Sequence, residues 1–413
     1  MARVESNYWP RLLLLACSSV LMLAFAEGVS RYAEARIAAS GLQYLTEYDA
    51  QLGWSKAANQ ERVHRTHEFE ATERTNSRGL RGPEIPFERT PGRPRLLMLG
   101  DSFLEGVAVE EEELVSSVVR DHLGAAMDVQ VEVVNGGTVG YSTDQELLFY
   151  RLQGREYAPD VTVLLFYVND IWFNARPRYW RGEKPQFVLE GTELRLTNSP
   201  VPTESREYLY EVTGGQGLGR AVRLTDSWLG LRSAFYRLAR QAAINVPFIH
   251  SYLIESGLGA APGERMPWRK ESTPELAEAF RMTEALLLQL RDETEADGSK
   301  FVVYHVPPRA AIYAEDWAAV RDASAMNDLE WDPTQDGLWL RTFCRENDVD
   351  CIVDFESFRA KAGSLSDPGE ALYFAEDTHW TARGHALAGR LIADHLIEQA
   401  LLRGAEPGQA VIE

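Results

Sequence analysis

Cysteine is scarce, with three in 413 residues. That is too few for a disulfide-dense scaffold, and Cys344 and Cys351 have no His or further Cys at a spacing that suits zinc. Basic residues are also short: 42 Lys and Arg face 62 Asp and Glu, for a formal charge of −20. No Lys/Arg block in the soluble part is long enough to track a phosphate backbone, which argues against nucleic acid as a partner. Of eight histidines, His64 and His67 flank Arg65 without Cys or further His nearby, so no metal site is expected. The acidic run Glu110 to Glu113 has no interleaved His or Asp. It precedes an apolar stretch from Leu114, where carboxylates favour a helix N-terminus over a cation site. Internal repeats and low-complexity tracts are missing too. Hydrophobic residues at 45% and charged residues at 25% are ordinary globular values that exclude extended disorder and leave a folded, enzyme-sized body.

Residues Leu12 to Ala26 form an uninterrupted stretch of apolar or small residues, preceded by Arg3 and Arg11. This charge asymmetry marks an export signal or an N-in anchor. Extended past Glu27 to Val29 the stretch approaches bilayer thickness, because a glutamate at the helix end reaches the interface. Ala24-Phe25-Ala26 also satisfies the small-x-small rule for signal peptidase, so cleavage near Ala26 stands as the alternative to a retained single-pass anchor. Both readings place the rest of the chain outside the cytoplasm, where a disulfide between Cys344 and Cys351 is permitted but not required.

The domain organisation follows from composition and periodicity. Residues 1–29 are the anchor or signal peptide, 30–94 an irregular extension, and 95–413 an α/β domain with an insertion at about 171–272. Arg95 to Leu99 reads as a buried parallel strand ended by Gly100. Val129 to Val134 and Val161 to Val168 supply two more strands, with a helix from Thr143 to Tyr157 between them. The alternation resumes with a helix from Thr273-Pro274-Glu275 to about Glu295 and a strand at Lys300 to Val306. A helix around Leu338 to Glu346, a strand at Cys351 to Phe355 and a helix from Ala382 to Leu402 complete it. Such a chain folds as a doubly wound, three-layer α/β/α parallel sheet. In the insertion, Phe187 to Leu196 reads as a hairpin turning near Gly191. Trp228 to Arg240 reads as a helix that packs on its own domain, caps the site or rests on lipid headgroups.

The chemistry centres on Leu99-Gly100-Asp101-Ser102-Phe103, a Gly-Asp-Ser between a buried strand and a helix. A serine at the carboxyl end of a central strand stands in the crevice where doubly wound sheets bind ligands. Its hydroxyl needs a base, and imidazole titrates near neutrality. Among the histidines only His379, in Glu376-Asp377-Thr378-His379-Trp380, has acidic partners in such a setting. His385 and His395 read as capping or packing residues. His305 reads as a packed strand-end residue, with a place in the site as the alternative.

Four segments in this order resemble the SGNH/GDSL hydrolase family: Gly100-Asp101-Ser102, Asn135-Gly136-Gly137-Thr138-Val139-Gly140, Tyr167-Val168-Asn169-Asp170 and the Asp377/His379 block. The resemblance implies a flavodoxin-like SGNH fold with no metal or organic cofactor. It implies Ser102 as nucleophile, His379 as base and Asp377 as orienting acid, with an oxyanion hole formed by the Ser102 and Gly140 N–H groups and the Asn169 amide. Two positions depart from the family pattern. The family commonly sets the acid three residues before the histidine, so Glu376 competes with Asp377, and Val168 stands where a glycine often precedes the asparagine. Asp101 and Asp170 read as loop-orienting residues.

The implied activity is hydrolysis of carboxylic esters through an acyl-serine, on small-molecule, lipid or glycan substrates outside the cytoplasm. Transfer of an acyl group to a polysaccharide hydroxyl is one alternative, because Asp377-Thr378-His379-Trp380-Thr381 is similar to the matching segment of alginate O-acetyltransferase-like SGNH proteins. Those proteins carry the acid and histidine ahead of the serine, an order reversed here. A non-catalytic envelope binding protein on the same fold is the other alternative.

Overall fold

The computed structural model describes residues 9–40, 44–179, 182–203, 225, 228–229, 232–244, 263–323, 326, 328–365 and 370–402. They divide into two compact units. The first holds helix α1 (Trp9–Ser40) and a second helix, Ala234–Ile244. Within α1 the 23 residues Arg11–Ala33 are long and apolar enough to cross a membrane. Glu27 does more than reach an interface. Its carboxylate accepts hydrogen bonds from the Ser233 hydroxyl (2.7 Å) and from the N–H groups of Ala234 (3.0 Å) and Phe235 (3.1 Å), which caps the second helix. The helix expected from Trp228 therefore has its regular part from Ala234, while residues 226–227 and 230–231 lie outside the described residues. So do 204–224 and 245–262, which belong to the expected insertion.

The second unit begins with two hairpins where an irregular extension was expected: β1 (Thr46–Asp49) with β2 (Gly53–Lys56), and β3 (Glu61–Arg65) with β4 (Glu70–Arg74). The first turn is fixed by Asp49, whose Oδ1 accepts the N–H groups of Gln51 and Leu52, both at 2.8 Å. Strand β5 (Arg95–Leu99) then leads through helix α2 (Ser102–Glu105) and α3 (Val115–Met127) to β6 (Glu132–Asn135). Next come α4 (Thr143–Leu152), β7 (Val161–Phe166), α5 (Val168–Phe173) and the hairpin of β8 (Gln186–Glu190) and β9 (Glu193–Thr197), which turns at Gly191 as expected. The rest includes α6 (Pro274–Ala296), β10 (Lys300–His305), α7 (Gln335–Asn347), β11 (Asp350–Ile352) and α8 (Ala382–Glu398).

Five of these strands form one parallel sheet in the order β11-β10-β7-β5-β6. Strand residues alternate between its faces. Leu97, Leu99, Leu164, Phe166 and Val303 pack against α4, α6 and α7, whereas Leu96, Met98, Val163, Leu165 and Val302 pack against α3 and α8. This is the doubly wound, three-layer α/β/α arrangement. Three strand ends differ from expectation for local reasons. The Val129 N–H closes the C-terminus of α3 by bonding to Gly124, so β6 starts later. Asp170 accepts the Tyr167 N–H at 3.4 Å and starts a helix at Val168. Asp354 accepts the Ser357 N–H at 2.9 Å, which commits Phe355 to a helix. Cys344 on α7 and Cys351 on β11 are bridged, with Cα atoms 6.2 Å apart.

Lys184, between Glu183 and the β8–β9 hairpin, is fully buried and donates to Asp144 in the first turn of α4, itself fully buried. Removing one partner strands a charge in a low-dielectric interior. Lys184→Met is expected to cost about 3–5 kcal/mol, read as a lower chemical-denaturation midpoint, and the Lys184→Met/Asp144→Leu double variant to recover most of it. Equal losses in the single and double variants would contradict this account.

Candidate active site

Strand β5 delivers Ser102 as the first residue of α2. Asp101 caps that helix, its Oδ1 accepting the Phe103 N–H at 2.9 Å, and is thereby the loop-orienting residue expected. The Ser102 hydroxyl lies 2.7 Å from His379 Nε2, and His379 Nδ1 lies 2.7 Å from Asp377 Oδ1. Glu376, the competing acid, instead faces solvent and pairs with His67 at 3.2 Å. Between acid and histidine, Thr378 adopts φ 68°, a left-handed conformation costly for a β-branched residue. The loop tolerates it because its backbone is pinned at Phe374, which bonds to both His379 and Thr378. Phe103 packs on the imidazole with ring centroids 4.8 Å apart and on Trp380 at 5.0 Å, which limits the orientations open to the histidine.

Gly140 and Asn169 come to the same end of the sheet, after β6 and β7. Gly140 has φ 72°, a turn that glycine makes at no steric cost. Among the described residues neither the Ser102 nor the Gly140 N–H has a backbone or side-chain acceptor. Asn169 is differently engaged: its amide donates to Asp101 Oδ2 at 3.2 Å and to the Tyr179 hydroxyl at 3.3 Å. Tyr179, stacked on Phe173, also reaches Glu264 at 3.3 Å. Sequence reasoning passed over Tyr179 because no motif surrounds it.

Glu68 was missed as well. From the turn between β3 and β4 its carboxylate accepts three consecutive backbone N–H groups, those of Ala375 (2.7 Å), Glu376 (3.0 Å) and Asp377 (2.8 Å). Phe69 beside it packs on Phe374 at 5.1 Å. A glutamate in the turn of a polar hairpin carries no local sequence signal of this role.

Three of the other histidines, all read from the sequence as packing or site candidates, have structural contacts. His305 is buried against Asp336 (2.7 Å) rather than set among the site residues, His385 Nδ1 accepts the Val115 N–H at 3.2 Å, and His395 pairs with Asp350 at 2.8 Å.

Residues 268–413 match the family described as the SGNH hydrolase-like domain of acetyltransferase AlgX. With the four sequence blocks gathered at one end of a parallel sheet, this supports an SGNH family member, and the family match itself covers residues 268–413. A curated relative, the probable alginate O-acetylase AlgJ of Pseudomonas putida, is 28% identical over 120 residues, which are 29% of this chain and only 28% of that protein. Among solved structures, a catalytic mutant of Axe2, an acetylxylan esterase from Geobacillus stearothermophilus, is similar at 12% identity and a TM-score of 0.37, over 73% of this chain and 93% of that one. The lipase/acylhydrolase from Enterococcus faecalis is similar at 12% identity and a TM-score of 0.34, over 76% and 99%.

In this SGNH domain the environment of His379 sets its basicity. Burial alone lowers its pKa, but the hydrogen bond and charge of Asp377, joined by the charge of Asp101, more than offset that and raise it above the ordinary 6.5. For Asp377 burial raises the pKa, and the His379 contact more than reverses it. An imidazole must be neutral to accept a proton from serine. Activity is therefore expected to fall as pH drops through a value above 6.5. Asp377→Asn should move that limb downward and cut kcat by on the order of 10⁴-fold, with Glu376→Gln within about twofold of the parent. A pH–rate profile of the three proteins checks this; equal losses in both variants would reopen the choice of acid.

Glu68 generates a second expectation. Burial pushes its carboxyl up, but the three N–H bonds bring it below the usual range, so it is ionised throughout the working range of His379. Glu68→Ala should lower kcat on the order of 10-fold with little change in KM, less than the ~10²-fold cost of an ångström's misplacement. Steady-state kinetics on a soluble ester measures it, and an unchanged kcat contradicts it.

Proposed function

We propose that this chain is an ester-processing enzyme that takes an acyl group from an oxygen ester onto Ser102 and passes it to water. The observation that carries the reading is the unbroken hydrogen-bond chain Ser102–His379–Asp377, 2.7 Å at each link. Ser102 Oγ attacks the ester carbonyl carbon while His379 Nε2 takes its proton. The oxyanion is held by the Ser102 and Gly140 N–H groups, each such donor being worth about 2.7–4 kcal/mol of barrier. Collapse expels the alcohol, which takes its proton from His379, and leaves an acyl-serine. Water then attacks with His379 again as base, and release of the acid restores Ser102. Asn169 joins the oxyanion hole by turning one amide hydrogen away from Asp101 or Tyr179 toward substrate.

A specific observation favours a second reading, in which a glycan hydroxyl replaces water. The matched family is described as an acetyltransferase, and the curated relative is named an alginate O-acetylase. The matched segment holds Asp377 and His379, while Ser102 lies outside it. In both readings the enzyme works outside the cytoplasm, tethered by Arg11–Ala33 as an N-in anchor or released by cleavage near Ala26. The bridged Cys344–Cys351 pair suits that compartment.

Labelling by a fluorophosphonate probe tests the nucleophile. The parent protein should label, Ser102→Ala should not, and His379→Ala should label at most slowly. A folded parent that neither labels nor cleaves short-chain esters would instead be a non-catalytic envelope binding protein. Product partition from an activated acetyl ester then decides the acceptor. Acetate as sole product in the presence of added polysaccharide supports hydrolysis, and acetylated glycan supports the transferase.

A further inference from the structure

Helix α2, which starts at Ser102, and the loop Gly136–Gly140 belong to different crossovers of the sheet. A buried charge cluster joins them. Glu105, the last residue of α2, is fully buried, and its Oε2 accepts the N–H of Val139, the residue before Gly140. Lys56, at the end of β2, donates its ammonium to the Gly137 carbonyl. Gly137 itself sits so close to α2 that a Cβ there would lie 2.5 Å from the Glu105 nitrogen. Arg81 ties the other side, donating to the carbonyls of Gly106, Glu105 (2.9 Å) and Val109 (2.9 Å), and to Thr72 (3.2 Å). Lys56 and Arg81 both come from the segment before the first strand of the sheet.

We propose that Glu105 and Lys56 are positioning residues for the oxyanion donors: together they clamp the loop Gly137–Gly140 onto the helix that carries Ser102. The proposal rests on the acyl-serine reading above.

The protonation of the clamp follows from its neighbours. Glu105 is faced by Lys56 from β2, by Glu73 from β4, and by Arg81; His64 from β3 holds Glu73 Oε2 at 2.7 Å, and His385 from α8 lies against Gly106. Among the described residues Glu73 Oε1 and Glu105 Oε1 are both buried without a separate partner, and the two carboxyls lie within hydrogen-bonding reach of each other. One shared proton satisfies both oxygens. Burial, only partly countered by Lys56 and reinforced by Glu73, pushes Glu105 up to about 8, so it is Glu105 that carries the proton at neutral pH. Above that value two facing carboxylates repel and the clamp loosens.

The test is steady-state hydrolysis of an activated soluble ester by the full-length protein. At neutral pH Glu105→Gln, an isostere of the neutral acid, should keep kcat within about twofold, because its amide still donates to Glu73 and its oxygen still accepts from Val139. Glu105→Ala and Lys56→Met should lose about 10- to 100-fold in kcat with KM within about twofold, a loss confined to oxyanion stabilisation. The parent should show an alkaline limb near 8 that is absent from Glu105→Gln. A folded Glu105→Ala with parental kcat, a loss shared equally by KM, or an alkaline limb that persists in Glu105→Gln overturns the proposal. If Glu105→Ala fails to fold, the kcat and pH profile of Glu105→Gln decide alone. Ser102→Ala is assayed beside them. Activity that survives it removes the acyl-serine reading itself, whereas its loss alongside a fully active Glu105→Ala removes only the clamp.

Discussion

One hydrogen bond, 2.7 Å from His379 Nε2 to Ser102 Oγ, connects residues 277 positions apart in the chain. A hydroxyl is a nucleophile only while that contact holds, and a misplacement of one ångström is worth about 10²-fold in rate. Neither partner lies within a strand. Ser102 starts a four-residue helix, and His379 lies in a loop whose middle residue, Thr378, is in a disfavoured conformation. The parallel sheet brings the two neighbourhoods together, but ladder hydrogen bonds end at Leu99 and Phe166 and do not extend to either group. Something beyond the sheet must hold the loops.

That work falls to polar groups at places where hydrophobic packing offers no direction. Glu68 gathers three N–H groups of the acid loop, Arg81 gathers carbonyls around the end of α2, and Lys56 and Glu105 meet the loop before Gly140. Buried ionic groups are poor sources of net stability, since desolvation consumes most of the attraction. Their advantage here is direction. Apolar side chains at 56, 81 and 105 would fill the same volume without choosing which way a backbone carbonyl or N–H points.

The sheet was readable in the sequence because its strands are buried on both faces and appear as continuous apolar runs, Arg95-Leu96-Leu97-Met98-Leu99 and Val161 to Phe166 above all. The Ser102, His379 and Asp377 positions were readable because short-range spacing and strand-end placement mark them. Strand ends were less legible: Val129 and Val168 have β-favouring side chains, yet the first closes a helix through its own N–H and the second opens one behind the Tyr167 N–H to Asp170 carboxylate bond. Least legible was the segment from Tyr44 to Pro94. Its strands are four or five residues long and dominated by polar side chains, so Lys56 and Glu73 look like surface residues until the hairpins turn them inward. Charge in a sequence is a weak guide to exposure when partners lie far along the chain.

The order of the reactive residues has the same limitation. Serine precedes acid and histidine here, the reverse of the order that the resemblance of Asp377–Thr381 to alginate O-acetyltransferase-like proteins implies. Yet Ser, His and Asp groups act through geometry, and identical geometry arises from unrelated chain orders. Order reports how loops were connected to strands, not which molecule attacks the acyl-serine. The acceptor is chosen by how well the site excludes water while admitting a hydroxyl. Asn169 is bonded by Tyr179, which in turn reaches Glu264, on segments that flank the sheet rather than within it. In both proposed readings, hydrolysis and transfer use the same four sequence blocks, so the blocks alone do not separate them.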